Sequence, residues 1–256
     1  MTTKVYPIRK FLASLVLLVS KPFLKVSIKL LKQIRSIKME SYKREFIQFL
    51  QNAGVLKFGD FTAKSGRKIP YFINAGEIKT GENIAKLGEF YAKSYLDKMG
   101  DKKTVLYGPA YKGISIAVSA SIALSKNGLN VPFFFNRKEA KDHGEGGVFV
   151  GYKPTAGEEV VIVEDVITAG TAIRETMDIM KGLEGVKVCA TFVMVDRKEK
   201  GQGEKSAMAE VGEEFGFPVY SVVDVYDIIE YLEEDPANEE NVARIKKYLE
   251  VYGAKA

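Results

Sequence analysis

The 256-residue chain has no tryptophan, one cysteine and one histidine. The lone thiol, Cys189, excludes an internal disulfide and any cysteine-rich metal site. It sits in the apolar run VKVCATFVMV, which predicts a core thiol and fits a reducing compartment, so the chain is expected in the cytoplasm. His143 alone cannot furnish a histidine metal cage. The apolar run Phe11–Val19 has only nine residues, against the ~20 that span a bilayer. There is no internal repeat and no long linker.

Acids are absent from residues 1–39, which hold nine of the 38 Lys and Arg residues. The other 29 bases face all 33 acids, so the body carries −4 while the whole chain carries +5. A basic pI would ordinarily suggest nucleic acid; here the charge belongs to the leader, and no nucleic-acid partner is expected. Residues 1–38 imitate a signal peptide but lack a small-residue cleavage site. Two readings stand for them. One is a segment outside the enzyme, with Met39 as the natural start. The other is membrane contact through a basic amphipathic helix over Lys25–Lys38.

Hydrophobic content of 46% and charged content of 28% describe a globular body. Helical spacing of Phe46, Phe49 and Leu50 ends at Asn52-Ala53-Gly54. Residues 56–81 are strand formers broken by Gly and Pro, which predicts a hairpin. From residue 82 to about 230, helical and strand patterns alternate. The fold class expected is α/β, a mainly parallel central sheet with helices on both faces.

The most informative stretch is VVIVEDVITAGTA. Val160–Val163 predicts a strand buried on both faces. Glu164 and Asp165 end it, small residues follow, and a helix is expected from Ala172. Backbone N–H groups in such a turn, and at the helix N-terminus, attract phosphate, and bulky side chains would keep it away. The acids suit ribose hydroxyls, a ribosyl cation or a metal's water shell. A second strand–turn–helix unit runs through Gly108-Pro109-Ala110-Tyr111-Lys112-Gly113. After the strand Val131–Asn136, the segment RKEAKDHGEGG has no large apolar group and reads as a mobile, charged loop.

VVIVEDVITAGTA resembles the 5-phosphoribosyl-1-pyrophosphate (PRPP) signature of type I phosphoribosyltransferases, and FNRKEAKDHGEGG resembles the catalytic loop of the orotate phosphoribosyltransferases. The resemblance extends from residue 39 to about 250. It implies that residues 39–256 form the transferase, with a hood at roughly 56–81 above the strand ends. It places Lys141, His143, Glu164 and Asp165 in catalysis. For PRPP it implies Lys64, Tyr111, Lys112, Arg137, Lys138, Lys141 and His143, with Glu164, Asp165 and the turn Val166, Ile167, Thr168, Ala169, Gly170, Thr171 and Ala172. For orotate it implies Phe72, Ile73, Thr168 and Arg197; Ile73 stands where family members often carry Phe. It further implies Mg²⁺ carried mainly by PRPP oxygens and water, and a homodimer with shared sites. A purine-base transferase is the alternative that Arg197 argues against, since a purine lacks a carboxylate. A PRPP-sensing regulator that binds nucleic acid is disfavoured by the body's negative charge.

Overall fold

The computed structural model describes residues 41–63, 66–141, 147–201 and 203–254, with Ala140 and Lys141 as backbone alone. The chain divides into two compact units, Met1–Tyr42 and Lys43–Ala256. Of the first, only residues 41 and 42 are described, so the readings of the leader lie outside the described residues.

Helix α1 (41–52) is followed by the hairpin β1 (Leu56–Thr62) and β2 (Lys68–Ile73), an antiparallel two-stranded sheet of its own. The hairpin expected in residues 56–81 is formed by these two strands. Helix α2 (Gly81–Met99) begins at Thr80, whose hydroxyl accepts from the Asn83 N–H. Then come β3 (Val105–Gly108), α3 (Lys112–Lys126), β4 (Phe133–Lys141), β5 (Gly147–Gly151) and β6 (Glu159–Glu164). The chain continues with α4 (Thr171–Met180), β7 (Lys187–Asp196), α5 (Ala207–Phe215), β8 (Val219–Asp224), α6 (Val225–Glu233) and α7 (Glu239–Tyr252).

The main sheet has six strands in the order β5-β4-β3-β6-β7-β8. All neighbours pair in parallel except β5, which runs antiparallel to β4 at the edge. Chain order reverses direction across the sheet between β3 and β6. In an open α/β sheet such a switch point leaves a crevice at the strand carboxyl ends.

Both faces of β6 are covered, as its unbroken apolar run predicts. Val160 and Ile162 pack in one cluster with Ile173 and Met180 of α4 and Val211 of α5. The intervening Val161 and Val163 are equally buried. Val163 is in register with Phe192 of β7, whose ring lies 5.8 Å from that of Tyr95 on α2. Helix α2 therefore packs on the opposite face. Each aliphatic side chain so buried contributes about 1.5–3 kcal/mol. Cys189 is half-buried on β7, and burial pushes its thiol up to about 11.

One expectation is corrected. The predicted strand stops at Asn136, yet β4 continues through Arg137 and Lys138 to Lys141. Beyond Phe135 β4 pairs with β5 alone, so charged residues can occupy this stretch, and Lys138 and Glu139 are exposed. The register shifts between Asn136 and Lys141. The tip, residues 142–146, lies outside the described residues, and with it the expectation of mobility there.

Candidate active site

Two turns of small residues stand at the carboxyl ends of β3 and β6. In the first, a Cβ on Gly113 would lie 2.6 Å from Pro109 Cδ and 2.9 Å from the Val163 carbonyl oxygen. Only glycine lets α3 start this close to β6. Asn136 fixes the turn from β4: its Oδ1 accepts from the Tyr107 hydroxyl at 2.8 Å and from the Ala110 N–H at 3.0 Å. The Ala110–Tyr111 peptide is cis. Lys112 opens α3, and its Nζ lies 2.7 Å from Asp165 Oδ2, so the two turns are joined by an ion pair. The Lys112 side chain is 57% exposed, and pairs this wet are worth about 0.2–1 kcal/mol. An incoming polyanion can take Lys112 from Asp165 at little cost.

The second turn closes on a pocket of about 210 Å³, lined by Glu164 and by Val166 through Ile173. Gly170 holds the left-handed φ of +74°, and a Cβ there would meet Val211 Cγ2 at 2.7 Å. Helix α4 follows with no side-chain cap and no acid in its first turn, which leaves its N-terminal N–H groups for an anion. Arg174 braces the turn. Its Nη1 donates to the Ala169 carbonyl at 2.8 Å while its Nε donates to Glu214 Oε2 at 2.8 Å.

The two acids differ. Asp165 Oδ1 accepts from the Val166 N–H at 2.8 Å, and its carbonyl accepts from the Met194 N–H of β7 at 2.8 Å. Glu164 Oε1 accepts from the Asp165 N–H at 2.9 Å, and the Tyr91 hydroxyl donates to the Glu164 carbonyl at 2.6 Å. Burial pushes the Glu164 carboxyl from its ordinary 4.5 up to about 8, with the neighbouring Asp165 charge adding to the rise. Near neutral pH it keeps its proton, and Asp165 is the carboxylate paired with Lys112. Holding Glu164 in this place costs roughly 3 kcal/mol at pH 7. The four buried aliphatics of β6 outweigh that.

Strand β4 comes near the first turn: Lys138 Nζ lies 5.1 Å from the centre of the Tyr111 ring. Arg137 Nη1 donates to the Gly147 carbonyl at 3.2 Å. Lys64, His143 and the Lys141 side chain lie outside the described residues.

Beyond β7, Arg197 stacks 5.4 Å from the centre of the Tyr71 ring and places Nη2 2.5 Å from Glu199 Oε1. Its Nε and Nη2 are sealed from solvent without an aligned hydrogen bond. Phe72 is exposed and stacks on Phe61 at 5.4 Å, and Ile73 ends β2. The structure thus gathers Glu164 and the whole turn from Val166 to Ala172 around one pocket. Lys112, Asp165, Phe72, Ile73 and Arg197 do not line that pocket. Sequence reasoning passed over Tyr91, Asn136, Arg174 and Glu199. Asn136 had a signal, an amide at the end of an apolar strand; the others act through contacts distant in the chain.

A phosphoribosyl transferase domain model matches residues 74–221. The chain is 48% identical over 224 residues to the orotate phosphoribosyltransferase of Clostridium beijerinckii, covering 85% of this chain and 100% of the relative. It is 49% identical over 216 residues to that of Shigella flexneri, covering 84% and 100%. The crystal structure of orotate phosphoribosyltransferase from Francisella tularensis superposes with a TM-score of 0.73 at 37% identity, over 82% of this chain and 100% of that one.

The raised Glu164 pKa has a thermodynamic consequence. Between about 4.5 and 8 the folded chain holds a proton that the unfolded chain has released. Its contribution is fully present below the unfolded pKa and lost as pH rises through the folded one. Urea unfolding at pH 5 and pH 8 should show a loss of up to about 1.4 kcal/mol per pH unit from this group. Glu164→Gln should remove that part of the slope. Equal slopes in both proteins would show that Glu164 ionises normally.

Proposed function

The chain belongs to the orotate phosphoribosyltransferases, which transfer the 5-phosphoribosyl group of PRPP to orotate, and on that premise we propose how its residues carry the transfer. The reaction yields orotidine 5′-monophosphate and diphosphate, a step of pyrimidine nucleotide biosynthesis. One observation carries the assignment of roles: the Lys112–Asp165 pair joins two turns that each suit a phosphate.

The 5-phosphate occupies the 210 Å³ pocket, on the N–H groups of Ile167–Gly170 and the uncapped start of α4. The diphosphate occupies the turn Gly108–Tyr111 and draws Lys112 away from Asp165. The freed Asp165 carboxylate then faces the ribose hydroxyls, where positive charge grows as the C1–oxygen bond to diphosphate breaks. Orotate N1 supplies the electron pair for the new C1–nitrogen bond, and the pair from the broken bond leaves with diphosphate. Glu164, protonated, donates to a ribose hydroxyl rather than adding charge. Arg137, Lys138, Lys141 and His143 close over the leaving group and exclude water.

Among the described residues no group of three His, Cys, Asp or Glu could hold a metal. The oxygens of Asp165 suit the water shell of Mg²⁺ carried on PRPP, and the ion supplies neutralising charge to the diphosphate. Phe72 and Ile73 cover the base, and its carboxylate pairs with the Nε edge of Arg197, whose Nε otherwise stays buried and unbonded while Nη2 is held by Glu199. A purine offers that edge no carboxylate. Turnover of orotate, but not of adenine or hypoxanthine, tests this choice. Arg197→Ala should raise the orotate KM by about 30-fold or more, a loss of at least 2 kcal/mol. PRPP's KM should move far less, and equal effects on both would remove Arg197 from the base site.

Residues 39–256 form the catalytic body and act in the cytoplasm. Relatives match at full length over 85% of the chain, which supports the extent of the body. A chain starting at Met39 should fold and keep kcat within twofold; an inactive product would tie the leader to the body. Vesicle flotation of the full chain, lost on truncation, would instead assign the leader to a membrane surface.

The body works as a homodimer in which the segment after β4 serves the partner subunit's site. The family resemblance supports this, as does a charge density too high to neutralise locally. Lys141→Ala and Asp165→Asn chains, each nearly inactive alone, should recover up to half the wild-type activity per heterodimer. No recovery in heterodimers confirmed with tagged chains would mean that each segment closes over its own site.

A further inference from the structure

The base side holds a charged cluster of which the transfer mechanism has used only Arg197. Arg67, between β1 and β2, places Nη2 2.8 Å from Glu199 Oε2. Arg197, at the end of β7, contacts Glu199 Oε1. One carboxylate thus spans two guanidinium groups, one oxygen each. The Tyr71 hydroxyl donates to Glu199 Oε1 at 3.4 Å. Arg67 stacks 4.9 Å from the Tyr252 ring and 5.7 Å from the Tyr248 ring, both on α7. Burial and the Glu199 charge hold the Tyr71 and Tyr248 hydroxyls well above the ordinary tyrosine range, so both stay neutral.

Glu199 is itself fixed from behind. It bridges to Gly253, the Lys200 N–H donates to the Tyr252 carbonyl at 2.9 Å, and the Ala254 N–H donates to the Lys198 carbonyl at 2.8 Å. Hairpin, sheet end and C-terminal segment therefore meet at one carboxylate. Two guanidiniums and one carboxylate leave a net +1, which matches one further anion. Nη2 of each guanidinium is held by Glu199, and the unbonded Nε atoms of Arg197 and of Arg67 leave donors for it.

We propose that Glu199 is a positioning residue for the base: it holds Arg67 and Arg197 a fixed distance apart and leaves the single unit of positive charge that an aromatic monocarboxylate neutralises. This rests on the orotate reading above. Without Glu199 the two guanidiniums repel, Arg67 withdraws toward α7, and Arg197 must be reordered by the substrate itself.

The test uses the full chain, after wild-type turnover of orotate has been established, so that failure of the orotate reading shows first and separately. Glu199→Gln keeps the shape and removes the charge. It should raise the orotate KM at least tenfold, with the PRPP KM and the kcat at saturating orotate within twofold. Glu199→Asp keeps the charge but is one methylene too short to reach both partners, and should raise the orotate KM at least threefold. It carries the test alone if Glu199→Gln fails to fold by circular dichroism. Arg67→Ala combined with Glu199→Gln should be no more than threefold worse than the poorer single variant, because both break one bridge. An unchanged or lowered orotate KM, equal rises for both substrates, or fully multiplicative effects would each overturn the proposal.

Discussion

The adjacency of β3 and β6 is the constraint on which the rest of the structure depends. The two strands pair in parallel, Leu106 with Val161 and Tyr107 with Ile162, and so bring their carboxyl-end turns side by side. Everything nearby serves that closeness. Gly113 admits α3 against β6, Asn136 holds the first turn, and Arg174 holds the second. Buried aliphatic area supplies the free energy, while the polar contacts set position. The ion pair between the turns is weak because it is wet, and a weak pair suits a site that must exchange a side chain for a ligand.

Much of this was legible in the sequence because it is local. The unbroken run Val160–Val163 announces a strand buried on both faces, and the small residues after Asp165 announce a turn open to phosphate. Arg197 could be picked out by its place at a strand's carboxyl end. The extension of β4 over Arg137–Lys141 could not. Its side chains carry no apolar pattern, and the hydrogen bonds that make it a strand come from β5. The Arg67–Glu199 contact joins residues 132 positions apart, and no spacing rule reaches that far. Glu164 was readable as a site acid, but not as one that keeps its proton. That property depends on the burial created by β7 and α2.

The division of labour between the acids follows from which of them has a cation partner rather than from residue type. Glu164 and Asp165 are neighbours with similar exposure, yet only Asp165 has a cation within ion-pair distance. A carboxyl without such a partner releases its proton late, and one residue of register decides which of the two it is. The same logic sets apart the base side, where one carboxylate is matched against two guanidiniums and the surplus charge is left for a substrate.

Cys189, half-buried on β7, has a practical consequence for labelling β4. With its thiol pushed up to about 11, only about one molecule in ten thousand carries a thiolate at pH 7. The native thiol is therefore slow toward maleimides and iodoacetamides. A second cysteine placed on the exposed face of β4 would take a fluorophore almost alone, without first removing the native one. The chain also lacks tryptophan, so its intrinsic emission comes from tyrosine. A single tryptophan introduced beside Tyr111 would report on that turn against a dark background.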